Sequence, residues 1–346
     1  MTMSTGRNLI TTALSFWLVI GIFVDGWAHR NLPSLETFFT PWHAIFYSGF
    51  AAVAAWCGWN VVRGRKEGLA WKQAVPTGYL PALVGLAIFM VGGATDMVWH
   101  IIFGIETDID ALLSPTHLML FLGAALIVTA PYRSFSARWV RAESPASFSE
   151  FSPTLLSMTL LMVLTSFMFM YLSAFDEAFM RETYGHSAQG QFGNATGLVE
   201  FLSHKSGIAS ILITNVILFA PALLLVRSFK TPFGSFTIAF TVVAALITSL
   251  QVFALWPFIV SSFLGGLATD VLAKTIRPST GRSRLISFAA AASGIFWSLY
   301  VGAVALEGMG WAVEFWSGTI IWAALSTGAL AVLMSPSERG IEAGEF

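Results

Sequence analysis

The feature that most constrains this chain is a succession of apolar runs, each close to 20 residues. They fall at about 8–28, 41–62, 78–101, 115–131, 153–175, 206–227, 233–252, 257–273, 285–306 and 312–334. A helix needs about 20 apolar residues to cross the hydrocarbon layer. In lipid only helices and closed barrels satisfy every backbone polar group, and these runs lack the period-2 alternation of barrel strands. The expectation is an all-α, polytopic membrane protein with nine or ten transmembrane helices. It forms a single integral membrane domain, 1–346, built from repeated helical hairpins at 8–62, 78–131, 153–227 and 257–306. Only 11% of the 346 residues are charged, against roughly 25% in soluble domains, so the lipid bilayer is the first partner. A net charge of -1 with no basic patch excludes nucleic acid as another. The single cysteine, Cys57, lies inside an apolar run, which leaves neither a disulfide framework nor a thiolate metal cage.

Orientation follows from lysines and arginines in short loops. Arg7, Arg63, Arg65, Lys66, Lys72, Arg133, Arg138, Arg141, Arg227 and Lys230 fall on one side, and only Arg30, Arg181 and Lys205 on the other through the sixth run. The first side is expected to be cytoplasmic. The first run has no small-residue cleavage site before Asp25 and reads as a retained span. The stretch 233–284 fits either two tightly joined helices or one long helix with a surface segment. Two helices place Lys274, Arg277, Arg282 and Arg284 on the cytoplasmic side, and this gives ten spans.

All six histidines, His29, His43, His100, His117, His186 and His204, fall on the outward side, at helix ends or in connecting loops. Self-alignment supplies a reason. Asp25-Gly-Trp-Ala-His29 is followed by Glu36-Thr37 and by Thr40-Pro41-Trp42-His43. Asp96-Met-Val-Trp-His100 is followed by Glu106-Thr107 and by Ser114-Pro115-Thr116-His117. A third, decayed copy runs through Asp176, Met180, Glu182-Thr183 and His204. A fainter fourth runs from Gly265-Gly266 to Asp270 and Lys274. Internal duplication of helix pairs is a common way to build membrane proteins.

The spacing carries chemistry. Residues i and i+4 share a helix face one turn apart, so Asp25 with His29, and Asp96 with His100, each present a carboxylate beside an imidazole. His43 and His117 open the antiparallel partner helices at the same depth, and the proline two residues earlier suits a helix start. Each hairpin therefore assembles one carboxylate and two imidazoles, a set that iron, copper and zinc all accept. Asp25, His29, His43, Asp96, His100 and His117 are the expected metal ligands, in one dinuclear or two mononuclear sites. Glu36 and Glu106 are candidate catalytic groups that move protons or hold imidazole N–H groups. Trp27, Trp42 and Trp99 nearby fit an aromatic belt. A proton or ion relay and plain structural hydrogen bonding are the competing readings of the Asp–His pairs. Met158, Met162, Met168 and Met170 fit gap-filling in a core better than a copper path, and the loop 176–205 with His186 is a candidate lid.

The order Asp25, three residues, His29, thirteen residues, His43 resembles the metal-binding pattern of the C subunit of the particulate methane and ammonia monooxygenases, and Asp96, His100 and His117 repeat it with a longer gap. That resemblance implies copper held by an Asp and two His on adjacent membrane helices near the outer face. A looser likeness is to the seven-helix zinc hydrolases of the alkaline ceramidase type. The functional expectation is a membrane oxidoreductase of monooxygenase type that uses copper, or else iron. It would act with dioxygen on an apolar small molecule in the lipid, with a redox partner or an oligomer as further associations. A zinc-dependent lipid hydrolase and a non-enzymatic metal or proton carrier are the alternatives. The expected location is a bacterial inner membrane, with the site facing the periplasm.

Overall fold

The computed structural model describes residues 1–32, 39–104, 108–139, 147–181 and 196–335. Among these residues the chain is helical apart from short connections and one isolated bridge. Contacts divide it into two compact units, Met1–Met168 and the chain from Phe169 onward.

The first unit contains α1 (Thr5–Asn31), α2 (Pro41–Lys66), α3 (Leu80–Phe103), α4 (Pro115–Val128) and α5 (Phe148–Met168). Three shorter helical pieces accompany them, Trp71–Ala74, Asp108–Leu113 and Ala130–Trp139. Helix α1 packs along α2, and α3 along α4, giving two hairpins. Each second helix starts in the same way. Thr40 and Ser114 are extended N-caps whose side chains accept the backbone N–H of His43 and His117, with Pro41 and Pro115 opening the helix. The cap satisfies an otherwise orphaned donor, and proline has no N–H to orphan. Helix α5 is largely enclosed, and its Met158, Met162 and Met168 are buried as core fillers.

Both hairpins are drawn together by glycine at matching positions. A Cβ on Gly21 would lie 2.5 Å from the Phe46 Cα, and one on Gly49 would lie 2.7 Å from the Leu18 backbone nitrogen. In the second hairpin a Cβ on Gly92 would meet Met119 and Leu120, and one on Gly123 would meet the Gly85 oxygen and Phe89. Gly21 and Gly92 each sit one turn before the aspartate, and Gly49 and Gly123 each sit six residues after the second histidine. Without side chains at these crossings the backbones approach closely, as is usual where membrane helices associate through small residues.

The second unit contains α6 (Thr196–Ser228), α7 (Ser235–Ser249), α8 (Pro257–Ile276), α9 (Arg282–Glu307) and α10 (Val313–Met334). The stretch 233–284 thus holds two helices, as the charge pattern favours. At one end of this unit Gln251 donates to Asp176, Arg181 pairs with Glu307, and His204 packs on Trp311 and Phe315. The start of α6, the ends of α7 and α9 and the start of α10 therefore lie together. At the opposite end Asp270 accepts the backbone N–H groups of Phe236 and Thr237 and the Thr237 hydroxyl, capping α7. Nine helices among the described residues are long and apolar enough to span a bilayer, and α7 is a shorter tenth of 15 residues.

Candidate metal centre

Helix α1 carries Asp25 and His29 on one face, and α2 brings His43 to them. Helix α3 carries Asp96 and His100, and α4 brings His117. Within each set of three, one candidate ligand atom per residue can be chosen so that all lie within 4.8 Å of one another. No further grouping of three His, Cys, Asp or Glu side chains with that geometry occurs among the described residues.

The two carboxylates are used alike. Asp25 Oδ2 lies 3.7 Å from His29 Nε2, and its Oδ1 lies 3.4 Å from His43 Nε2. Asp96 Oδ2 lies 3.5 Å from His100 Nε2, and its Oδ1 lies 3.6 Å from His117 Nε2. In each copy one oxygen faces the histidine of its own helix and the other faces the histidine of the partner helix. These separations exceed the 2.7–2.9 Å that an imidazolium–carboxylate hydrogen bond adopts. With ligand bonds of about 2.0–2.2 Å, a tetrahedron around a common ion has edges of about 3.3–3.6 Å. Each gap matches or nearly matches that edge; because the two gaps of a set run to different carboxylate oxygens, each is an edge between one oxygen and one imidazole taken singly.

The outer ring nitrogens are tied down. His100 Nδ1 lies 3.2 Å from the Gly104 carbonyl oxygen, and His117 Nδ1 lies 2.8 Å from the Ser114 hydroxyl. A carbonyl can only accept, so this bond needs the proton on Nδ1 of His100 and leaves Nε2 as the nitrogen that faces Asp96. Such outer partners fix the ring orientation of ligating imidazoles. Thr116 donates to Asp96 Oδ1 at 2.6 Å. In the first copy Trp42 occupies the matching position, and Asp25 Oδ1 is buried with no hydrogen-bond partner in the described structure. A buried carboxylate oxygen without a donor is costly unless something cationic meets it. The donor set and its spacing fit a metal ion at the connecting end of each hairpin, and the orphaned oxygen adds to that fit in the first.

The remaining sequence candidates fall elsewhere. Glu36, Glu106 and His186 lie outside the described residues, as do Glu182 and Thr183. The third copy forms no comparable set, because Asp176 is held by Gln251 and His204 by aromatic rings. In the fourth, Asp270 is occupied by the N-terminus of α7. Several site residues escaped the sequence reading. Gly21 and Gly92, Ser114 as a ring partner, Thr116 and Tyr47 all shape the centre. The recurrence of glycine four residues before each aspartate, and of serine or threonine three before each second histidine, was the available signal. Tyr47, four residues after His43, lies edge-on to its ring at 6.4 Å.

Fold and site together define a multi-pass helical membrane protein with two Asp–His–His groups that could each hold a metal ion. Comparison with protein-family models, curated proteins and solved structures gave no match.

Proposed function

We propose that this protein is a metal-dependent oxidoreductase of a bacterial inner membrane, with its centre facing the periplasm. Copper is the first candidate and iron the second. The observation that carries the metal reading is the twofold occurrence of Nε2-to-carboxylate separations of 3.4–3.7 Å, too long for a salt-bridge hydrogen bond and suited to ligands sharing one ion. Copper or iron held by one carboxylate and two imidazoles keeps coordination positions open for dioxygen and supplies redox chemistry there. The chain contributes orientation and exclusion of water. Burial of Asp96 and His43 keeps the donors in place, and Phe46, Phe50 and Phe89 form an aromatic layer beside His43 and Tyr47. Helix faces rich in exposed apolar side chains, among them Ile101, Ile102 and Phe103 beside His100, offer a route from lipid for an apolar substrate. Glu36 and Glu106 are assigned to moving protons at the outer face, and electrons would come from a redox partner.

The same tetrahedral spacing is what zinc adopts, so a zinc-dependent lipid hydrolase is the second reading. Elemental analysis of protein purified in mild detergent separates them. Copper or iron with visible absorption supports oxidation, whereas zinc in a colourless protein supports hydrolysis. Replacing both His29 and His100 with alanine should remove most of the bound metal. Full retention in a folded double variant would refute the ligand assignment.

A further inference from the structure

The two hairpins align in sequence register, Asp25 with Asp96 and His43 with His117. What departs from that register is informative. Tyr47 of α2 corresponds to Phe121 of α4, and Gly93 of α3 corresponds to Ile22 of α1. The two departures meet each other, since a Cβ on Gly93 would lie 2.8 Å from the Tyr47 hydroxyl oxygen and 2.9 Å from its Cε1. The phenol is therefore laid across the bare backbone of α3, one turn before Asp96, with its hydroxyl oxygen buried. Its other end is one turn from His43, on the face that also carries Phe46 and packs against Phe89. A hydroxyl-bearing ring and the gap that admits it occur once, where one copy meets the other.

We propose that the two Asp–His–His groups form one two-ion centre, with the Tyr47 phenol at the wall between them. The ligand class it takes is a small oxygen- or nitrogen-donor molecule shared by both ions, and the Tyr47 hydroxyl donates a hydrogen bond to it. Two-metal centres act by holding one such ligand from both sides. This inference rests on the metal reading above, and its test can fail separately.

The experiment uses the full chain in detergent, stripped with a chelator and titrated with copper(II) alone while the electron paramagnetic resonance spectrum is recorded. The expected result is two bound equivalents, with the second producing dipolar broadening, a half-field line or loss of integrated intensity. Two equivalents whose spectra simply add would overturn the shared centre and leave the metal reading intact. One equivalent would likewise refute a two-ion centre, and no binding would sink both. Tyr47→Phe places at this position the residue that the second copy already carries, so the fold should survive. Azide, a small anion able to span two ions, should then bind about tenfold more weakly with two coppers still present, the loss of one hydrogen bond. Unchanged azide affinity in Tyr47→Phe would remove the phenol from the centre.

Discussion

Substituting alanine for Gly21 tests whether backbone proximity sets the metal geometry. The new Cβ would stand 2.5 Å from the Phe46 Cα and 2.7 Å from its nitrogen, whereas carbon atoms rest about 3.5–4.0 Å apart. The obstacle is backbone, so α1 and α2 must separate by about 1 Å at this crossing. Gly21 is one turn before Asp25, and Phe46 is one turn after His43, so most of that displacement reaches the ligands. The Asp25–His43 gap would widen from 3.4 Å to about 4.4 Å, beyond even the ~4.2 Å between ligands on opposite sides of an ion with 2.1 Å bonds. One of three donors in the first set is thereby lost. Affinity at that set should fall by at least 10–100-fold, the effect known for disturbing only an outer partner. Overpacking costs about 1–3 kcal/mol, offset by up to about 1 kcal/mol of helix propensity, so the melting temperature should drop modestly. Gly58 lies in α2 with nothing within 4 Å of its added Cβ, and Gly58→Ala is the control that should keep all metal and gain slight stability. Metal per chain and thermal unfolding in detergent read both effects. A Gly21→Ala protein with wild-type metal content and affinity would refute the claim that this helix crossing positions the site.

Two further substitutions probe other parts of the argument. Ser114→Ala removes both the cap of α4 and the partner of His117 Nδ1; metal affinity at the second set should fall about 10–100-fold with about 1 kcal/mol of stability. Ser114→Thr should restore both, as Thr40 already caps α2, and isothermal metal titration checks the pair. In the second unit Asn215 donates to Thr327 and Ser326 and accepts from Ser293 and Trp297. Asn215→Leu strands those groups and should cost about 1–3 kcal/mol, lowering the melting temperature while metal per folded chain stays at the wild-type level.

Helix number and pairing were legible because each apolar run must satisfy its own backbone in lipid, which leaves little choice of structure. The grouping of the six candidate ligands was legible because the i, i+4 spacing and the Pro-x-His helix starts each confine a side chain to one face and depth. Tertiary hydrogen bonds were not readable in this way. The fainter repeat running through Asp270 to Lys274 resembles the Asp96 segment because both aspartates follow a glycine pair and face the first turn of a neighbouring helix. At Asp96 that turn offers a threonine hydroxyl and an imidazole, while at Asp270 it offers backbone N–H groups. The glycine pair stands one residue farther from Asp270 than from Asp96, the position one turn after the aspartate is Lys274 instead of His100, and the partner then decides between candidate ligand and cap. The third repeat fails for a similar reason, since Gln251, 75 residues away, takes the carboxylate of Asp176.

What the two hairpins share and where they differ divide the work of the centre. The shared positions are those that ligation demands: a glycine for close approach, an aspartate, two histidines and a hydroxyl cap. The differing positions change how strongly each carboxylate can donate. Asp96 shares its Oδ1 with the Thr116 hydroxyl and its side chain is 3% exposed; the Asp25 side chain is 16% exposed, and its Oδ1 has no donor in the described structure. A hydrogen bond draws charge from a carboxylate oxygen and weakens it as a ligand, while deeper burial raises the cost of leaving its charge uncompensated. Asp25 therefore keeps the oxygen with no donor on it and the more open position, and Asp96 the more shielded one. Duplication alone would yield two equal sites. Thr116, Tyr47 and Gly93 make the two groups unequal, and the proposed two-ion centre would use that inequality if one ion anchors and the other exchanges ligands.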